Sequence, residues 1–279
     1  MKLSFNSLYI VSTPIGNLED ITLRAIDVLK KSDFILCEDT RHSLKLFNHF
    51  KFKKKLISYH KFNEQKQASK MIEYINQGKI LSLISDAGTP LLSDPGRLLV
   101  NKCIENNIKV IPIPGTSSII TAMSISGFRD QFLFYGFLPK TENELEKVLS
   151  VLSQVSFSQI FFIPALKINF YLKNFKKYFS GRKLLIAKEL TKIHETFFRD
   201  SVDEVKLFKN QLKGELTIVI SEKNINKRII DKEIIVNKAK KYLKKYSLKD
   251  TVDLILESEK VNRKEIYKLC LKVKNEKNY

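Results

Sequence analysis

Most of this chain's glycine and proline sits in four short loops, although only nine glycines and seven prolines occur in 279 residues. Each loop follows an apolar run that reads as a strand. Leu8-Tyr9-Ile10-Val11 leads into Ser12-Thr13-Pro14-Ile15-Gly16-Asn17. Ile80-Leu81-Ser82-Leu83-Ile84 leads into Ser85-Asp86-Ala87-Gly88-Thr89-Pro90, and then into Asp94-Pro95-Gly96. Lys109-Val110-Ile111 leads into Pro112-Ile113-Pro114-Gly115-Thr116-Ser117-Ser118, and Phe132-Leu133-Phe134-Tyr135 into Gly136-Phe137-Leu138-Pro139. In an open α/β sheet, ligands bind outside the carboxyl ends of the strands. Glycine there lets the backbone approach a ligand closely. The layout predicts a small-molecule site along one edge of a parallel sheet.

The rest of the pattern agrees with an α/β fold class. Residues 1–115 alternate strand and helix signals, as βαβ units do. Helices are expected over Leu18–Lys31, Glu64–Gln77, Arg97–Asn106 and Ser117–Ser126, with a short buried strand at Phe34–Cys37. A second α/β unit is expected from about Phe132. Its strands are Phe132–Tyr135, Gln159–Ile163, Lys183–Ala187 and Leu216–Ile220, and its helices Glu142–Gln154, Ile168–Tyr178 and Val202–Asn210. From Glu222 the chain is rich in lysine, lacks glycine and proline, and reads as helical. Three helices near Ile234–Lys245, Leu248–Glu257 and Arg263–Val273 would form a small basic module. Ser247 with Asp250, and Asn262 with Glu265, provide capping-box-like starts, and Lys274–Tyr279 is expected to fray. The organisation expected is residues 1–128, 129–222 and 223–279.

Formal net charge is +19, from 49 basic and 30 acidic residues. Such a balance suits a polyanionic partner such as a nucleic acid, although the excess of lysine over arginine also matches drift toward an A+T-rich genome. No apolar run approaches the roughly 18–20 residues that a membrane helix needs. Cys37, Cys103 and Cys270 are scattered among apolar residues, without metal-ligand or disulfide spacing. Buried free thiols and a cytoplasmic protein are expected, with no metal.

Asp86-Ala87-Gly88-Thr89-Pro90 is the sharpest motif. A carboxylate at a strand end can hold an ammonium or a ribose hydroxyl, with space beside it at Ala87 and Gly88. Neither G-x-G-x-x-G nor a Walker A sequence occurs, which disfavours dehydrogenases and ATPases. Glu38-Asp39-Thr40-Arg41-His42 crowds charge at another strand end, where it is expensive to bury without use. Lys188-Glu189-Leu190-Thr191 and Gly214-Glu215-Leu216-Thr217 flank strands of the second unit.

Taken in order, STPIGNLEDIT, EDTRH, SDAGTP with DPG, PGTSS and KELT resemble the ribosomal RNA small subunit methyltransferase I family, a branch of the tetrapyrrole methylase superfamily. The resemblance covers about Leu8–Ile220 and extends to the helical tail. It implies two α/β domains with S-adenosylmethionine in the cleft between them, a homodimer, and 2′-O-methylation of a cytidine ribose in 16S ribosomal RNA of the small subunit. Carried over by motif, Pro14, Asp86, Gly88, Thr89, Thr116 and Ser117 belong to the cofactor loops. Glu189 and Thr217 lie where the second domain closes on the cofactor, with Lys188 as an electrostatic helper to transfer. Glu38, Asp39, Arg41 and His42 would face the RNA and serve the transfer, with Glu38, Asp39 and His42 as the candidate bases. The chain departs from the family at Ile163-Pro164-Ala165-Leu166-Lys167, where a polar loop has become apolar. Two other readings remain open. One is a tetrapyrrole (precorrin-type) C-methyltransferase, and the other an RNA-binding protein with impaired catalysis.

Overall fold

The computed structural model describes residues 3–223, 232–258 and 263–277. Five strands form the first sheet: β1 (Ser7–Val11), β2 (Phe34–Cys37), β3 (Lys55–Ser58), β4 (Ile80–Leu83) and β5 (Lys109–Ile113). They run parallel in the order β3-β2-β4-β1-β5. Side chains alternate between the two faces of a strand, and both faces here are apolar. Tyr9, Val11, Ile35 and Cys37 join one core with α1 (Leu23–Lys31) and α2 (Thr40–His49). Leu8, Leu36, Leu81 and Leu83 join another with α3 (Glu64–Asn76) and α4 (Arg97–Glu105). A parallel sheet covered on both faces explains the unbroken apolar runs.

The second sheet is mixed. It contains β6 (Phe132–Phe137), β7 (Ser158–Pro164), β8 (Lys183–Lys188), β9 (Thr196–Ser201) and β10 (Glu215–Ile220), in the order β6-β7-β10-β8-β9. Only β6 and β7 are parallel. One face packs on α6 (Glu142–Leu152) and α7 (Ile168–Tyr178). The other face, through Ile160, Leu185, Ala187 and Val219, packs on Ile119 and Ala122 of α5 (Ser118–Ser124) and on Ile15 of the first loop. That shared core brings the first sheet's loops against the second sheet.

The helices α8 (Lys232–Tyr242), α9 (Leu248–Ser258) and α10 (Arg263–Lys277) belong to a separate compact unit spanning Asn224–Tyr279. Its core is its own, built around Ile235, Ala239, Val252, Ile255, Ile266 and Cys270. Ser247 Oγ accepts from the Asp250 N–H at 3.2 Å and caps α9. Asn262, expected to cap α10, lies outside the described residues. No described helix is long and apolar enough to cross a membrane.

Four sequence expectations need correction. The helix expected over Leu18–Lys31 is divided: Leu18–Asp20 is a 3-10 turn, and Thr22 then caps α1 by accepting from the Ala25 N–H. Val202–Asn210 is not helical. Its polar groups are taken by distant partners: Val202 N–H donates to Arg182 O, Asp203 accepts from Gly181 N–H, and Asn169 exchanges two bonds with Phe208. The edge strand β9 was not expected, because only Phe198 and Ser201 are even partly sheltered, which leaves no apolar alternation to read. Of the stretch expected to fray, Lys274–Lys277 continue α10, and Asn278 and Tyr279 lie outside the described residues. The three cysteines are free and buried. Burial raises the thiols of Cys37 and Cys270, and that of Cys103 to about 11.

Candidate active site

β1 and β4 are neighbours at the centre of the first sheet, so the loops that follow them meet. Thr13 N–H donates to Gly88 O at 2.9 Å, and Gly88 N–H donates to Thr13 O at 3.0 Å. The Thr116 hydroxyl donates to Thr13 O. Thr89 Oγ1 donates to Thr116 O at 3.0 Å and lies 3.0 Å from Ser12 Oγ. Ser117 caps α5 by accepting from the Ile120 N–H. Three loops far apart in sequence are thereby tied into one rim.

Above that rim lies a cavity of about 470 Å³. Asp86, Gly88, Thr89, Asp94 and Ser117 line it from the first sheet's loops. Phe137, Phe162, Ile163, Pro164, Leu216 and Thr217 line it from the second sheet. The walls are largely apolar with a few polar groups, the usual character of a small-molecule site. The apolar departure noted in the sequence forms part of this wall: Ile163 and Pro164 face the cavity, while Leu166 and Lys167 are exposed in a 3-10 turn.

A second, more open cavity of about 490 Å³ adjoins the first, and Asp86 lines both. Glu38, Asp39, Arg41, Ser58, His60 and Phe62 line it. Asp86 Oδ1 accepts the Asp39 N–H at 3.1 Å, so one carboxylate braces the loop after β2 from the loop after β4. The EDTRH stretch is a helix start more than a loop. Asp39 caps α2 by accepting from the Arg41 N–H, and pairs with the Arg41 guanidinium at 2.8 Å.

The remaining sequence candidates fall outside both cavities. Pro14 is buried beneath the rim, and Thr116 braces it. Glu189 holds Lys192 at 3.0 Å and accepts the Glu215 N–H at 2.9 Å, so it supports the cavity-lining Lys192, Gly214 and Glu215 from behind. His42 is exposed on α2. Lys188 donates to His194 O at 3.5 Å. Asp94, Lys192, His60 and Phe62 are lining residues that the sequence reading did not place in the site. For Asp94 the signal was available in Asp94-Pro95-Gly96, as a continuation of the loop after β4.

Three carboxylates converge where the cavities meet. Burial, then the charges of Glu38 and Asp86, lift Asp94 to about 6. Glu38 is raised by partial desolvation and by Asp86. Asp39 moves the other way, to about 2, because Arg41 holds its ionised form. The cluster favours a ligand that brings positive charge or hydrogen-bond donors, and it leaves Glu38 and Asp94 better able than Asp39 to accept a proton near neutral pH.

Comparison with known proteins agrees with the fold. The family model for tetrapyrrole (corrin/porphyrin) methylases matches residues 7–206. A ribosomal RNA small subunit methyltransferase I of Rickettsia prowazekii is 42% identical over 276 residues, covering 96% of this chain and 98% of its own. The protein of that name from Mesomycoplasma conjunctivae is 45% identical over 216 residues, covering 77% of this chain and 90% of its own. Among solved structures, the uroporphyrin-III C-methyl transferase of Thermus thermophilus complexed with S-adenyl homocysteine has a TM-score of 0.56 at 16% identity. It covers 77% of this chain and 97% of its own. A diphthine synthase has a TM-score of 0.58 at 12% identity, covering 77% and 89%. At these identities the structural likeness concerns the fold.

Proposed function

The chain belongs to the tetrapyrrole methylase family, in its ribosomal RNA small subunit methyltransferase I branch, and from that premise we propose that it methylates a cytidine ribose 2′-hydroxyl in 16S ribosomal RNA. The methyl donor is S-adenosylmethionine. The observation that carries the proposal is the pair of adjoining cavities: one apolar-walled, the other more open and charged, with Asp86 lining both. One suits a cofactor and the other a macromolecular acceptor.

The first cavity fits the cofactor on its own chemistry. Its apolar walls at Ile15, Leu92, Phe137, Phe162 and Leu216 suit a purine, and Asp86, Thr89, Ser117 and Thr217 supply polar partners for sugar and amino-acid groups. When bound, S-adenosylmethionine supplies a methyl group already activated on a sulfonium. The protein must position the acceptor oxygen and take one proton. Glu38 is the proton acceptor we favour, because it lines the acceptor cavity and its pKa is raised. Asp39 serves Arg41 and the helix cap instead. Arg41 is exposed and available to an anionic RNA. His42 and Lys188 would act from outside the two cavities.

The substrate form we favour is RNA within the assembled small subunit, acted on by a homodimer in the cytoplasm. Methyl transfer to naked 16S RNA, to small subunits and to a tetrapyrrole, assayed side by side, tests the reading. Transfer to the tetrapyrrole alone would refute it. Light scattering of the purified chain tests the dimer.

A further inference from the structure

The second cavity has at its mouth a side chain that the packing of the protein does not use. Phe62 is 94% exposed, the most exposed aromatic residue among those described. It sits on a short turn between β3 and α3 that is held from several sides. The His60 N–H donates to Asn63 Oδ1 at 2.9 Å, and Asn63 Nδ2 donates to Ser58 O at 3.0 Å. The Asn63 and Glu64 N–H groups both donate to His60 O, and the Phe62 N–H donates to His60 Nδ1 at 3.3 Å. The His60 ring stands edge-on to Phe62, with centroids 6.0 Å apart. A braced turn therefore presents an apolar ring to solvent beside a charged pocket. Unpaired RNA bases stack on aromatic faces of this kind.

The surroundings favour the same occupant. Lys61 and Arg41 line the pocket beside Phe62, and both are exposed, so flanking phosphates can find cations. Asp86 lines this pocket and also the cofactor cavity. A base stacked at the mouth would leave its own ribose toward Glu38 and Asp86, next to the methyl donor. We infer that Phe62 is the stacking platform for an unpaired RNA base, with Lys61 and Arg41 gripping the adjoining backbone. The inference rests on the proposed function and adds the residue that positions the acceptor nucleotide.

The test uses the full chain and a short single-stranded RNA carrying 2-aminopurine, whose fluorescence falls on stacking. Phe62→Ala should weaken RNA binding about ten- to a hundred-fold and abolish the quenching, while Phe62→Tyr keeps both. The salt dependence of binding should be unchanged in Phe62→Ala, because no phosphate contact is lost. Lys61→Ala should instead flatten it by about one unit of slope. S-adenosylmethionine affinity should stay at the wild-type value in all three variants. Equal RNA affinity and equal quenching in wild type and Phe62→Ala would overturn the inference, and methyl transfer unaffected by that change would leave the proposed function standing. Quenching that is lost in Phe62→Ala, from a wild-type protein that methylates no RNA, would instead refute the proposed function and keep the platform.

Discussion

The carboxyl group of Asp94 is poorly solvated and faces the charges of Glu38 and Asp86, which lift it to about 6 from an ordinary 3.8. A raised carboxylate contributes its stability below the unfolded value and loses it as pH rises through the folded one. Wild-type stability should therefore fall between about pH 4 and pH 6 through this group. Asp94→Asn should remove that loss, leaving a protein more stable than wild type at pH 7 by roughly 1–2 kcal/mol. Thermal melts at pH 4 and pH 7 would check this, and an equal gain at both would exclude the electrostatic cause. Asp86→Ala should weaken cofactor binding at least tenfold in a folded protein, measured by calorimetry. Arg41→Ala should lower methyl transfer at least tenfold with cofactor affinity within twofold, because Arg41 lines only the open cavity. Asp86, Gly88, Thr89 and Ser117 were legible as lining residues because each sits in a glycine- or hydroxyl-rich loop directly after an apolar strand. Phe62 was not, since an exposed phenylalanine in a lysine-rich sequence looks the same as a buried one until the turn is seen. Glu189 looks from sequence like a contact residue, yet its carboxylate is spent on Lys192 and the Glu215 N–H.

Among the elements, the loop between β8 and β9 meets the loop after β1. Thr191 Oγ1 accepts the Asn17 N–H at 3.0 Å. A Cβ on Gly16 would stand 2.5 Å from Lys192 Cγ and 2.9 Å from Leu190 O. The lysine stem can move, but the carbonyl is backbone. Gly16→Ala should thus destabilise the protein by about 1–3 kcal/mol, read as a lower midpoint in urea. Gly214 has φ +96, and a Cβ there would stand 2.5 Å from Glu189 Cδ. Most elements were legible because their apolar periods are regular and their caps explicit. Residues 202–210 misled because Val202 and Val205 carry the apolar spacing of a helix while both pack under the second sheet as parts of an irregular segment. β9 was silent because an edge strand with only Phe198 and Ser201 partly sheltered has no inward row to betray it.

At the scale of the whole molecule, the Asn224–Tyr279 unit has a core built, among the described residues, from its own side chains. Deleting residues 224–279 should leave a folded chain that binds S-adenosylmethionine with wild-type affinity, while RNA binding weakens and its salt dependence flattens. An unchanged salt slope would mean that the lysines of this unit do not touch RNA. The division into a glycine-punctuated α/β body and a glycine-free helical tail was visible in composition alone. The mixed second sheet was less so, since strand direction depends on long-range pairing and not on local spacing. The buried cysteines bear on how this body moves. Cys37 and Cys103 lie on opposite faces of the first sheet, and Cys270 lies inside the helical unit. Each thiol is silent to an alkylating reagent until its surroundings open. The wild-type chain therefore carries its own set of internal clocks, readable residue by residue by mass spectrometry under native conditions. Cys270 should label first, because a small unit has the least buried surface to hold it closed, and cofactor should slow Cys37 and Cys103 without changing the rate at Cys270.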